Sequence, residues 1–446
     1  MNSMERLFKS LSTYQIISLS FILLIFSGAL LLMLPFASQS GDSLNFLDAL
    51  FTATSASCVT GLVVVDTGHY FTVFGQLVII TMIQLGGLGI MTFATLFSVA
   101  VGKRINLQER LRIQESLNQG EIHGIVSFCL RIVKLTVIIE FFFGTLLAIR
   151  FLPIFGFKGI YYGYWHAISA FCNAGFDLMG DYTSFSNYVG DVPINLIITS
   201  LIILGSTGFT VMADVIYKPK FSSLRLHSKI ALLTTLFLIV AGTFGIYYME
   251  HANNLTIGNL SEGQKILASY FQAVTPRTAG FNTIPIENMR QSTLLLVIML
   301  MFIGASPAST GGGIKTTTFA VVVLSIRNML HGNNDLVLFD RRIDNSFVYR
   351  AFVITVLAIV WISIATLFIA YFERATFLHV LFEVVSAFAT VGLSTGISRN
   401  LCAESKIVLI LTMFAGRVGI LTFALALTSR HRVGNIRYPK EKIMIG

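Results

Sequence analysis

The sequence predicts an all-α integral membrane protein. Four pseudo-repeats, each running helix, pore half-helix, filter loop, helix, surround one central pore. Composition and recurrence carry that reading. Only 12% of the 446 residues are charged and 54% are hydrophobic, with a mean hydropathy of +0.77. Soluble domains carry about 25% charged residues, so a soluble globule, a disordered chain and a secreted disulfide scaffold are excluded. The recurrence is local and repeated. Counting back from Gly392, an aromatic stands ten residues earlier (Phe382), Ser six earlier (Ser386) and Ala five earlier (Ala387), and Leu393 follows. The same offsets from Gly61 give Phe51, Ser55, Ala56 and Leu62, and from Gly175 they give Trp165, Ser169, Ala170 and Phe176. Around Gly280 the copy is weaker, with Tyr270, Val274, Thr275 and Phe281, but Thr278-Ala-Gly-Phe281 is intact. These glycines lie 114, 105 and 112 residues apart, too far for a solenoid and regular enough for an internal repeat.

The elements follow in order. Residues 1–13 are polar, with Arg6 and Lys9. Ile16–Leu34 is apolar and, at about 1.5 Å per residue, long enough to span; no small-residue cleavage pattern follows, so it reads as a span rather than a signal peptide. Asn45–Ser57 is shorter and less apolar, as a half-length helix before the Gly61 loop would be, and Phe71–Val101 is a long span. The same triplet recurs as Leu130–Leu152, Gly163–Cys172 and Ile194–Tyr217, then as Ile230–Met249, Glu262–Val274 and Leu294–Arg327, the last interrupted. The fourth copy is Ala351–Tyr371, Phe377–Ala389 and Ile407–Ser429. Eight full spans and four half-helices result. The repeats occupy 14–101, 130–217, 228–327 and 349–429, with 430–446 as a C-terminal tail.

Charge orients the chain. Of 31 Lys and Arg, 21 lie before, between and after the copies, including Lys103, Arg104, Arg110, Arg112, Arg131 and Lys134, and only eight lie in the connectors within copies. By the positive-inside rule both termini are cytoplasmic and the four loops enter from outside. The connectors hold twelve of the 22 acidic residues, among them Asp42, Asp48 and Asp66. They could form a negative mouth that concentrates cations or be ordinary solvated loop charges. The four cysteines are scattered without paired spacing, so they mark neither a metal site nor a disulfide framework.

A potassium ion surrenders its water only to a ring of replacement oxygens, and backbone carbonyls supply such rings in selectivity filters. Glycine lets the backbone take the turns that aim successive carbonyls at one axis. The candidate ring is therefore the carbonyls of Val59, Thr60 and Gly61, of Asn173, Ala174 and Gly175, of Thr278, Ala279 and Gly280, and of Thr390, Val391 and Gly392. Four loops in one chain would supply what four identical subunits supply in a tetrameric channel. Close helix packing explains any one such glycine, but not four with matched flanks.

Two further features lie inside apolar spans. Gly304–Thr318 contains Pro307, a Ser/Thr run and Gly311-Gly-Gly313. It cannot be a lipid-facing helix without stranding backbone polar groups, so it lines a watery cavity below the loops. A phosphate-binding loop is excluded, because Lys315 is not adjacent to the last glycine and no strand precedes. Arg417 sits mid-span, where an arginine costs about 2.5–3.5 kcal/mol on insertion scales, so it faces water or a partner. The matching positions of the other copies, Gly86-Gly87, Gly205-Ser206 and Gly304-Ala305, have no arginine.

The chain as a whole resembles the membrane subunit of a Ktr-type potassium transporter, within the Trk/Ktr/HKT superfamily. Four motifs carry the resemblance: Cys58-Val-Thr-Gly-Leu-Val-Val-Val-Asp66, Phe171-Cys-Asn-Ala-Gly-Phe-Asp177, Thr275-Pro-Arg-Thr-Ala-Gly-Phe-Asn-Thr283 and Ala389-Thr-Val-Gly-Leu-Ser-Thr-Gly396. The first filter loop follows a single span, without the extra helix pair of Trk-type relatives, and this favours the Ktr branch. Glycine in all four loops implies potassium preference, since sodium-favouring plant relatives carry Ser in the first. The resemblance also implies a bacterial plasma-membrane homodimer with one pore per protomer and a cytosolic ring of nucleotide-binding regulatory subunits. It further implies an intramembrane gate at Ala308, Ser309, Thr310, Gly311, Gly312, Gly313 and Lys315, with Arg417 in the ion path. A structural ion pair is the alternative role for Arg417. Potassium is then the transported cargo, sodium a candidate activator or symported ion, and membrane lipid the surrounding partner; no nucleic-acid partner and no bound cofactor are expected. The rival class is an alternating-access secondary cation transporter, which favours inverted repeats, whereas these copies share one orientation. No catalytic His/Asp/Ser constellation marks an enzyme.

Overall fold

A computed structural model describes residues 12–100, 107–116, 124–333, 335–427, 439 and 441. Arg6, Lys9, Lys103, Arg104 and nearly all of the 430–446 tail lie outside the described residues, as does the last residue of 14–101. Labels below cover helices of eight or more residues.

The first repeat comprises α1 (Thr13–Leu32), α2 (Phe46–Ser57), α3 (Val73–Leu88) and α4 (Ile90–Ala100). After α5 (Leu107–Ser116), the second comprises α6 (Ile125–Phe155), α7 (Lys158–Phe171), α8 (Val192–Thr207) and α9 (Phe209–Tyr217). The third comprises α10 (Leu226–Glu250), α11 (Glu262–Val274), α12 (Gln291–Phe302) and α13 (Thr316–Leu330). A two-stranded antiparallel hairpin, β1 (Leu336–Leu338) with β2 (Arg341–Ile343), leads to the fourth repeat. That repeat comprises α14 (Asn345–Phe372), α15 (Phe377–Phe388), α16 (Ala403–Val418) and α17 (Ile420–Leu427).

Local sequence sets the starts. Ser12 and Gln15 exchange side-chain and backbone bonds in a capping box at α1. Asn45 accepts from the Leu47 N–H at the head of α2, and Asp191 accepts from the Ile194 N–H at the head of α8. The half-helices α2, α7, α11 and α15 end inside the protein, with Phe51, Phe171, Phe271 and Phe382 wholly buried. By contrast α6, α10 and α14 expose Phe141, Phe142, Phe237, Phe244, Leu367 and Phe368, apolar faces suited to lipid. Burial thus runs inward, toward the four loops.

The expectation of eight continuous spans needs correction. Among the described residues four helices, α1, α6, α10 and α14, are long and apolar enough to cross unbroken. The second helix of every repeat is broken, not only that of the third. The α8–α9 pair bends by 96° and the α16–α17 pair by 102°. The breaks fall at Gly89, Gly208 and Gly419, with φ of +86°, +94° and +94°, a region where a Cβ is strongly disfavoured. The signal is a recurrent Gly-x-x-Gly: Gly86…Gly89, Gly205…Gly208 and Gly416…Gly419, with Gly304…Pro307 in the third copy. The first glycine of each Gly-x-x-Gly pair lets the helix approach its half-helix. A Cβ at Gly86, Gly205 or Gly416 would collide with the carbonyl oxygen of Ser57, Phe171 or Phe388, the last residues of α2, α7 and α15.

Candidate ion pathway

Each half-helix delivers its loop in one conformation. The first residue of every candidate triplet has a left-handed φ: Val59 +58°, Asn173 +60°, Thr278 +69° and Thr390 +51°. The third, glycine, is also positive, at +94°, +70°, +77° and +90° for Gly61, Gly175, Gly280 and Gly392. The middle residues Thr60, Ala174, Ala279 and Val391 are not among the positive-φ residues. Such alternation turns successive carbonyls toward one side of the chain, which an extended strand cannot do.

The recurrent Ser now has a reason. Ser55 Oγ accepts from the Gly61 N–H at 3.1 Å, and Ser386 Oγ accepts from the Gly392 N–H at 3.1 Å. Ser169 instead donates to the Phe176 carbonyl at 2.7 Å. In the third copy Val274 replaces the Ser, and Thr275 donates to the Phe281 carbonyl at 2.5 Å. Each hydroxyl ties the loop back to its own half-helix.

The four loops close a ring. A Cβ at Gly61 would lie 2.5 Å from the Ala174 oxygen, at Gly175 2.8 Å from the Ala279 oxygen, and at Gly280 2.5 Å from the Val391 oxygen. At Gly392 it would strike the Thr60 oxygen. Every glycine therefore abuts the middle carbonyl of the next repeat, in the order one, two, three, four and back to one. Repeats one and three are opposite, as are two and four.

A cavity opens on each side of this ring. The outer, about 360 Å³, is lined by the four glycines together with Asp66, Asp177, Asp181, Glu287 and Arg399. Of the three acids singled out in the first connector only Asp66 lies here. Asp42 is exposed away from the cavity, and Asp48 pairs with Lys406 at 2.6 Å. Burial, reinforced by the Asp66 charge and opposed by the Met179 N–H bond, pushes the Asp177 carboxyl up to about 7. The inner cavity, about 640 Å³, is lined by Gly87, Gly89, Gly311, Gly313, Lys315, Arg417 and Gly419 among others.

Between ring and inner cavity lies the broken stretch from Ile303 to Lys315. It is held by backbone bonds to another repeat: Ser306 N–H to the Ser206 carbonyl at 2.9 Å, Thr310 N–H to that of Gly205 at 3.2 Å, and Phe209 N–H to that of Ala308 at 2.8 Å. The Gly312 N–H donates to Thr390 Oγ1 at 3.1 Å, and a Cβ at Gly311 would meet Thr278 Oγ1. The stretch thus touches the first residues of loops three and four. Lys315 Nζ donates to the Gly311 carbonyl at 2.6 Å. Arg417 spreads its guanidinium over the carbonyls of Thr310, Gly86 and Gly87, the last at 3.0 Å. Its bonds run to backbone carbonyls rather than to a carboxylate, so the ion-pair alternative finds no support among the described residues. All predicted loop and gate residues are therefore gathered at one place. Among the described residues no group of three or more His, Cys, Asp or Glu could hold a metal.

Sequence comparison adds to this geometry. Residues 3–436 match the family model of TrkH, described as a cation transport protein. This chain belongs to the TrkH family. It is 44% identical over 435 residues to the Ktr system potassium uptake protein B of Bacillus subtilis, covering 97% of this chain and 96% of that protein. It is 38% identical over 449 residues to the potassium/sodium uptake protein NtpJ of Enterococcus hirae, covering 99% of each. The crystal structure of the potassium transporter TrkH from Vibrio parahaemolyticus superposes with a TM-score of 0.74 at 18% identity, covering 93% of this chain and 84% of that one. The likeness extends to the mostly helical fold.

In this TrkH-family chain the structure also assembles residues the sequence reading passed over. Glu140, buried in the middle of α6, accepts from Gln84 Nε2 at 3.0 Å, and Gln84 Oε1 accepts from the Cys172 thiol at 3.2 Å. Cys172 immediately precedes loop two. A lone Glu inside the long apolar run of α6 was the available signal, since an intramembrane carboxylate needs a polar partner.

Proposed function

We propose that this chain is the pore-forming subunit of a potassium uptake system in a bacterial plasma membrane, working as a homodimer under a cytosolic nucleotide-binding regulatory ring. The observation that carries the proposal is the closed ring of four glycine-containing loops between two cavities. A single file of carbonyl oxygens replaces the hydration shell of a monovalent cation without covalent chemistry, which suits a transporter rather than an enzyme. The acids of the outer cavity raise the local cation concentration. On the inner side, the 308–313 stretch and Lys315 plug the path, and Arg417 adds a fixed positive charge. Movement of that stretch, driven by a partner on the basic inner loops, would open the path. The printed names of the relatives, potassium uptake in one and potassium/sodium uptake in the other, favour a monovalent cation as cargo. Growth of a potassium-uptake-deficient bacterium at low potassium tests the reading. Expression of this chain with a Ktr regulatory subunit should restore growth, and a folded, membrane-inserted chain that fails to do so overturns it.

A further inference from the structure

Nine residues before its glycine, each half-helix carries one buried side chain: Thr52, His166, Phe271 and Glu383. Two of these four do the same thing with different chemistry. His166 Nε2 accepts from the Leu178 N–H at 3.1 Å. Glu383 Oε1 accepts from the Thr395 N–H at 2.9 Å. Leu178 and Thr395 are equivalent, each three residues past its glycine. In repeats one and three nothing replaces this bond. Thr52 spends its hydroxyl on the Asp48 carbonyl of its own helix, and Phe271 has no acceptor. The matching amides, Val64 and Thr283, find no acceptor among the described residues.

Both anchors are built to stay put. His166 is wholly buried, with Phe185 at 5.3 Å and Trp165 at 5.6 Å between ring centroids. Its Nδ1 lies 2.7 Å from the Tyr162 carbonyl. A carbonyl only accepts and the Leu178 amide only donates, so His166 is the neutral Nδ1–H tautomer. Glu383, also wholly buried, receives in addition the Ser394 hydroxyl at 2.5 Å and the Ser398 hydroxyl at 2.7 Å. The tethered segments are the chain leaving loops two and four, where Phe176, Asp177, Leu393 and Ser394 rim the outer cavity.

We propose that His166 and Glu383 are specificity-determining positioning residues that pin two opposite filter loops from behind, so that ion discrimination rests on a two-fold pair of loops carrying this second tether, beyond the hydroxyl ties all four share, facing a two-fold pair that lacks it. This rests on the reading of the four-loop ring as the ion filter. Neither side chain reaches the ring itself. Each acts by fixing how far its loop can move outward, and so by fixing the size of the oxygen ring available to a smaller ion.

The test uses the full chain in proteoliposomes, with Rb⁺ uptake measured against competing Na⁺. His166→Phe and Glu383→Leu keep bulk but remove the acceptor; His166→Gln and Glu383→Gln keep one acceptor oxygen. The apolar variants should lose roughly tenfold in Rb⁺ over Na⁺ discrimination, the change that about 1.4 kcal/mol produces, while the Gln variants retain most of it. Thr52→Val and Phe271→Leu should discriminate as wild type does. Folded apolar variants with unchanged discrimination overturn the proposal, as do Gln variants no better than apolar ones, or equal losses at Thr52 and Phe271. If the apolar variants do not fold, amide exchange in the unmutated protein decides: Leu178 and Thr395 must exchange more slowly than Val64 and Thr283, and equal rates overturn the proposal. Gly392→Ser in the same assay separates the two readings. A change there with no change at His166 and Glu383 removes the anchors alone, whereas no change at Gly392 removes the filter reading and the proposal with it.

Discussion

Replacing Gly61 by Ser is the sharpest challenge to the ring. Its φ of +94° lies outside the regions an L side chain favours, which costs about 1–2 kcal/mol by the sterics that disfavour left-handed backbone. The new Cβ would also sit 2.5 Å from the Ala174 oxygen and 3.0 Å from the Gly175 Cα. Both are backbone atoms, so no side chain can swing aside, and loop two must retreat by about 0.9 Å to restore ordinary contact. That is enough to spoil one quarter of an oxygen ring matched to a dehydrated cation. A penalty of 1–2 kcal/mol falling on the tighter-fitting ion corresponds to about a 5- to 30-fold loss of preference. Measured as Na⁺ competition against Rb⁺ uptake in liposomes, Gly61→Ser should lose potassium preference while total flux persists. The same should hold at Gly175, Gly280 and Gly392. If all four single Ser variants insert, fold and keep wild-type preference, the ring is not the filter and the reasoning fails.

Removing the inner barrier should raise flux. A unit charge 4 Å from a cation at an effective dielectric of 20 opposes it by about 4 kcal/mol, so Arg417→Ala and deletion of 308–313 should each speed potassium uptake and weaken its dependence on a regulatory subunit; liposome flux at wild-type rates in both would place the barrier elsewhere. Ser55→Ala strands the buried Gly61 N–H, a loss of about 1–3 kcal/mol, and should lower the thermal midpoint in detergent. The raised Asp177 carboxyl is charged above about pH 7 and neutral below, so apparent cation affinity should weaken as outside pH falls through 7. Asp177→Asn should be weak at both ends of that range, which a pH series of uptake at low potassium would reveal.

The architecture was legible because membrane physics writes it into composition. Long apolar runs with few charges can only be spans, and their ends fell within four residues of those expected for α1 and α10, while α14 starts six residues earlier than expected. Half-helix α11 was expected over the residues it occupies, because it recurs as the short middle element of the third copy. The hairpin of β1 and β2 was not foreseen: its turn uses Phe339 and Asp340 at positive φ, without the Asn-Gly pair that announces such turns. The breaks at Gly89, Gly208 and Gly419 were hidden for another reason. Hydropathy sums over a window and does not register a single backbone angle, so a span bent by about a right angle scores like a straight one.

What the sequence determined by itself was a list of positions: four matched loops, an interrupted polar stretch inside a span, and one arginine in apolar surroundings. These follow from spacing and transfer energy, which are local properties. Only the tertiary structure decided which of them meet. It put each glycine against the middle carbonyl of the next repeat, laid the 303–315 stretch beneath Thr278 and Thr390, and brought Arg417 across to the carbonyls of Thr310 and Gly86. It also gave Glu383 and His166 equivalent bonds that no shared residue type announces. The contacts between neighbouring loops and those of Arg417 join residues more than a hundred positions apart, and they form because each half-helix ends inside the protein, where an unpaired backbone group must find its partner in another repeat.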